Sequence, residues 1–113
     1  MTSIDNLTIK EARELADLFG TGGGQSAGPW ITGVNYFIRT VTMALTGRLV
    51  AVYPGELVLE DAAWIADTGR FAEAVERADF SEVEPFPDGK QVIVGRSSII
   101  DAVTIGDLPR KQK

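Results

Sequence analysis

The chain contains no cysteine and no histidine in its 113 residues. The first absence removes disulfides, thiolate nucleophiles and sulfur-ligated zinc. The second removes the most common general base and the most common protein ligand for transition metals. Oxygen ligands alone suffice for Mg²⁺ or Ca²⁺, so a carboxylate site for a hard cation stays open wherever acids cluster. No apolar run approaches the ~20 residues that carry a helix across a bilayer. The opening residues carry an early acid, Asp5, and no apolar core of signal-peptide length, which predicts a protein with no membrane partner that stays in the cytoplasm.

Positive charge is also scarce. Lys and Arg number 11 against 16 Asp and Glu, a formal net charge of −5, which argues against the broad basic surface that drives non-specific nucleic-acid binding by counterion release. The local exception is Arg110, Lys111 and Lys113, which we read as a solvated tail. What is present suits one domain: 44% of the residues are hydrophobic, enough for a core that folds without disulfides or metals.

Thr8 and Glu11 fit a capping box, and Ile9, Ala12, Leu15, Ala16, Leu18 and Phe19 recur at helical spacing until Gly20, predicting an amphipathic helix over 8–19 within an N-terminal segment 1–20. A glycine-rich stretch follows without the Lys-Ser or Lys-Thr of a phosphate loop, so 21–33 reads as a linker. From Val34 the pattern becomes β. Strands are expected from Val34, over 46–53 and over 56–65, with a turn at Pro54-Gly55. A short helix at about 68–78, capped by Asp67 or Thr68, is expected in a longer connection that ends at Pro85-Phe86-Pro87-Asp88-Gly89. Strands over 91–94 and 99–105 flank a tight turn at Gly95-Arg96-Ser97-Ser98, and the tail 106–113 is irregular. The fold class expected is therefore mainly β with an N-terminal α-helix, its domain at 34–105 a small five-stranded barrel. Two strands of such a barrel keep free edges, and pairing between copies into a ring would satisfy them.

Thr46-Gly47-Arg48-Leu49-Val50-Ala51-Val52 with Leu57-Val58-Leu59-Glu60-Asp61-Ala62, and Val94-Gly95-Arg96-Ser97-Ser98-Ile99-Ile100, resemble the two motifs of the Sm-like, SH3-like barrels. This resemblance implies a ring-forming homo-oligomer. The turn at Pro54-Gly55 is too short for the Asp-x-x-x-Asn segment with which Sm proteins hold bases, and Gly95-Arg96 inverts the usual order, so RNA binding transfers less readily than the fold. Asn35-Tyr36-Phe37-Ile38-Arg39-Thr40-Val41-Thr42, Leu59 to Phe71 and Val92 to Arg96 also resemble a family of small proteins encoded by tailed bacteriophages. That resemblance implies action in the cytosol of a bacterial host, where ring-forming phage proteins include sponges for nucleotide immune signals.

Trp64, Asp67, Thr68 and Arg70 combine an aromatic face, a carboxylate, a hydroxyl and a guanidinium beyond a strand end, the groups that a nucleotide needs. Arg39, Thr40 and Thr42, then Thr46 and Arg48, then Arg96 add phosphate donors that the fold can bring together. Asp79, Glu82, Glu84 and Asp88, and the Glu60-Asp61 pair, match no metal-loop spacing and read as a solvated, charged connection. No cofactor, resident metal or catalytic group is expected. The function expected is an oligomeric, non-enzymatic protein that sequesters a nucleotide-derived signal. Its alternatives are an Sm-like single-stranded RNA-binding protein, a metal-dependent enzyme cleaving cyclic nucleotides, and a structural or partner-binding phage protein.

Overall fold

The computed structural model describes residues 28–113. The helix expected over 8–19 and most of the linker at 21–33 lie outside the described residues. The chain divides between Ile31 and Thr32, and every element below belongs to the unit Thr32–Lys113. In order these are β1 (Asn35–Thr40), β2 (Ala44–Val52), β3 (Glu56–Asp67), α1 (Phe71–Arg77), β4 (Glu82–Pro85), β5 (Gln91–Gly95), a 3₁₀ turn (Arg96–Ser98) and β6 (Ile99–Thr104). No helix among the described residues is long and apolar enough to cross a membrane.

The strands form one antiparallel sheet in the order β4-β3-β2-β1-β6, with β5 also paired to β3. Six strands are therefore found among the described residues where five were expected. The added one, β4, carries two glutamates and a proline and buries only Val83, so its local strand signal is weak and its state is fixed by the neighbour it pairs with. At 12 residues β3 is long enough to serve two partners on one edge. Glu56–Glu60 pairs with β5, and the stretch from Ala63 to Asp67 pairs with β4. Between them Asp61 takes a left-handed backbone (φ 52°), and the ladder with β2 gains one residue on the β3 side between Thr46 and Arg48. This bulge turns the strand from one partner to the other. β5 and β6 are joined by the 3₁₀ turn and share no ladder, so the sheet is open and not the closed barrel expected.

Both faces of β1 are covered. Tyr36, Phe37 and Ile38 are all buried, where simple alternation would bury every second residue. The Phe37 face packs against α1 in a core of Phe37, Ala63, Ile65, Ala74, Phe80 and Val83. There Phe37 stacks on Phe80 at 5.3 Å and meets the edge of Phe71 at 6.0 Å, contacts worth about 0.5–1.5 kcal/mol each beyond the area they bury. On the other face, register places Ile38 beside Leu45, Leu49 beside Leu59, and Leu57 beside Val94, all of them buried. Gly47 is required on this side, because a Cβ there would stand 2.9 Å from the Cβ of Leu59 and 3.3 Å from that of Ala62.

α1 ends at Ala78, in a left-handed conformation, with its N–H bonded to the Ala74 carbonyl, a helix stop usually given to glycine. The expected side-chain cap is replaced by other bonds. Arg70 is the N-cap, and its side chain makes no capping bond. The Gly69 N–H donates to Asp67 Oδ1 at 3.0 Å, and the Thr68 hydroxyl donates to the Gly69 carbonyl. The sharp turn at Gly69 (φ 74°) puts both residues outside capping reach of the helix.

The stretch after Gly106 is docked, contrary to the solvated tail expected. Lys113 and Val83 exchange both backbone bonds, at 2.9 and 3.1 Å, covering the outer edge of β4. Arg110 donates to the carbonyls of Ala62 (2.8 Å) and Phe86 (2.9 Å) and to Asp88 (2.6 Å). The planar fork of a guanidinium can bind several acceptors at once, which is why a charged residue anchors here and does not extend into water.

Candidate functional site

Of the four arginines singled out in the sequence, Arg39 and Arg48 lie on the sheet and are paired with acids. Arg39 pairs with Asp101 across β1 and β6 and lies over the Phe71 ring, 4.9 Å from its centre. Arg48 donates to Asp61 at 2.7 Å and to Glu60 at 3.0 Å, bracing the β3 bulge. Hydrogen bonds from these guanidinium groups, with their charge behind them, hold the carboxyls of Asp101 and Asp61 below the usual range. Arg39 stands opposite Ala44 and Arg48 opposite Asn35. Four positions of strand, ~13 Å, separate them along the ladder. Arg96 bonds the Tyr53 carbonyl at the β2–β3 turn. These three do not gather into one anion site.

The threonines are similarly committed. Thr40 donates its hydroxyl to the Met43 carbonyl and accepts from the Met43 N–H, closing the β1–β2 turn in which Thr42 lies exposed. Thr46 is fully buried and out of reach of any ligand. Trp64 is 42% exposed on β3, opposite Leu45 and on the sheet face away from α1. Among the described residues no three acids converge to hold a metal ion. Asp79 pairs with Lys113, Asp88 with Arg110, and Glu60 with Arg48.

Thr68 and Arg70 share a cleft of about 420 Å³ beside α1. Its walls add Arg77, Lys113 and Ser81, with Glu73 and Asp79 as the acids. Three cations thus face two carboxylates in a protein of formal charge −5. One of those carboxylates is already engaged: the Lys113 ammonium donates to Asp79 at 2.6 Å. This bond, then the charges of Lys113 and Arg77, keep the Asp79 carboxyl below its usual value. Gly69 shapes the rim, because a side chain there would strike the Ser81 hydroxyl.

Arg77 and Ser81 were not singled out in the sequence, and Lys113 was set aside there as part of a solvated tail. Arg70 and Arg77 stand seven positions apart, two helical turns on one stripe, and that spacing was readable. Lys113 reaches the cleft only because its backbone pairs with Val83, which no local pattern announces. Such a cleft can bind an anion by charge and by bidentate guanidinium bonds, with hydroxyls to orient it. Compared with protein-family models, curated proteins and solved structures, the chain has no match.

Proposed function

We propose that this protein is a non-catalytic binding protein that holds a phosphate-bearing, nucleotide-like small molecule in the α1 cleft and works as an assembly of several copies. The observation that carries the reading is the gathering of Arg70, Arg77 and Lys113 around one cleft with the Thr68 and Ser81 residues, in a chain lacking both histidine and cysteine. The phage resemblance supplies the setting: in the host cytosol, holding such a molecule without changing it removes a nucleotide signal from use.

For assembly, the support is an edge. β6 is exposed along most of its length on both faces, and its outer edge is unpaired among the described residues. It carries Ile99, Ile100, Ala102 and Val103 and no lysine or proline of the kind that blunts an edge. We read β1, β2, β3, β5 and β6 as the five strands of an Sm-like barrel left open between β5 and β6, with α1 and β4 inserted, and the free margins of β5 and β6 as the joint between copies. Support comes from Gly47 packed against Leu59 and from the 3₁₀ turn that links β5 to β6.

The test is equilibrium binding of cyclic dinucleotides and cyclic ADP-ribose isomers to purified full-length protein, followed by denaturation and identification of what is released. Native mass spectrometry counts the subunits. Release of intact ligand by the wild type, and its loss in Arg70→Ala/Arg77→Ala, is expected. Failure to retain any of these molecules, or retention that ignores both arginines, overturns the proposal.

A further inference from the structure

Next to the cleft lies a second recess of about 350 Å³, walled by Ala78, Phe80, Val83, Leu108 and Pro109, with the chain from Arg110 onward at its margin. The two recesses share Asp79, Phe80 and Lys113 as lining. Their chemistry differs. The first offers cations and hydroxyls; the second offers mainly aliphatic carbon, from Ala78, Leu108 and Pro109, over the buried Phe80 and Val83.

We infer that the site is bipartite, with the phosphate of the ligand in the cationic cleft and a flat apolar group, such as a nucleobase, in the recess against Ala78, Leu108 and Pro109. The inference rests on the proposed function above and narrows its ligand to molecules that carry both parts. Three observations lead to it. Each recess alone is at the small end of the ~300–1,000 Å³ occupied by ligand sites, and the two together have room for a nucleotide. The Lys113–Asp79 ion pair stands where they meet, so Lys113 can turn its ammonium to a phosphate while its stem lines the apolar side. The recess is already held in shape: Phe80 and Val83 beneath it are packed in the core, both 1% exposed, and Arg110 pins the segment beside Leu108 and Pro109 to two carbonyls. A flat group entering this recess meets surfaces that need no reordering, which saves the entropy of building the site on binding.

The experiment is calorimetric titration of full-length protein with inorganic pyrophosphate and with ADP, at one ionic strength. Pyrophosphate can fill only the cationic cleft. ADP is expected to bind about tenfold or more tighter, the fold-change that removing roughly 60 Å² of apolar surface from water is worth. Leu108→Asn, which adds polarity without charge, is expected to erase that advantage and leave pyrophosphate binding unchanged, which also reports that the variant is folded. Arg77→Ala is expected to weaken both probes alike. Equal binding of ADP and pyrophosphate by the wild type overturns the bipartite site, needs no variant to interpret, and leaves the anion-binding cleft standing. Loss of both probes on Leu108→Asn, with an unchanged melting temperature, overturns it too. If the wild type binds neither probe, the cleft and the bipartite site fail together.

Discussion

Replacing Thr46 by valine should stabilise this protein, and the magnitude can be worked from its surroundings. Thr46 stands between Phe37 and Ala63 across the sheet and is fully buried. Its hydroxyl has no hydrogen-bond partner among the described residues. A buried hydroxyl without a partner costs about 1–3 kcal/mol in lost hydration. Valine has nearly the same shape and the same β-branch, so it removes that cost without opening a cavity. The methyl that replaces the hydroxyl adds up to about 0.8 kcal/mol of burial. With partial relaxation in the wild type, a net gain of about 1–2 kcal/mol is expected. For a chain of this size that is a rise of roughly 4–8 °C in melting temperature. The assay is urea unfolding with thermal melts of wild type, Thr46→Val and Thr46→Ser. Serine keeps the hydroxyl and loses the methyl, so it should fall below wild type while valine rises above it. A Thr46→Val protein no more stable than wild type, at an unchanged urea dependence, refutes the reasoning, since the hydroxyl would then be satisfied in the folded state.

Gly47→Ala forces a Cβ to 2.9 Å from the Leu59 Cβ and 3.0 Å from its Cδ1; overpacking of about 1–3 kcal/mol exceeds the ~0.4–1 kcal/mol gained by stiffening the unfolded chain, so the urea midpoint should fall. Gly69→Ala meets both a positive φ of 74° and the Ser81 hydroxyl, and should cost at least the ~1–2 kcal/mol of a left-handed alanine, seen as a lower melting temperature. Arg110→Ala removes hydrogen bonds to the Ala62 and Phe86 carbonyls and should cost about 1–3 kcal/mol, with faster amide exchange at Lys113 and Val83. The carboxyls of Asp61, Asp79 and Asp101 are all held low by cationic partners. The stability they lend is therefore complete above the ordinary carboxylate range and is lost as pH falls from about 4 through their depressed values. Asp101→Asn should flatten that acid loss in urea midpoints compared at neutral and acid pH, modestly because the pair is exposed, and less so in high salt.

The sheet was legible wherever a strand carries its own signal. β1, β2 and β3 lie within two residues of their expected positions, because Tyr36-Phe37-Ile38 and Leu57-Val58-Leu59 are β-forming whatever their neighbours. The alternation across β1 was not legible, because a strand covered on both faces loses the period of two. Nor was β4: Glu82-Val83-Glu84-Pro85 is a strand because β3 offers it an edge. Thr68 and Arg70, singled out from residue type and position, both line the cleft, while Asp67 is taken up by the turn at Gly69. Arg39, Arg48 and Arg96 were plausible phosphate donors until register placed an acid or a carbonyl beside each.

Composition and local pattern determined on their own which chemistries are closed to this chain and which stretches form strands, because both follow from side chains acting over a few residues. The tertiary structure alone decided that β3 bends at Asp61 to serve two partners, and that Lys113, 36 positions after Arg77, comes to line the same cleft. Contacts of that range are set by which edge of a sheet remains free to be paired, and an unpaired edge exists only once the other strands are in place.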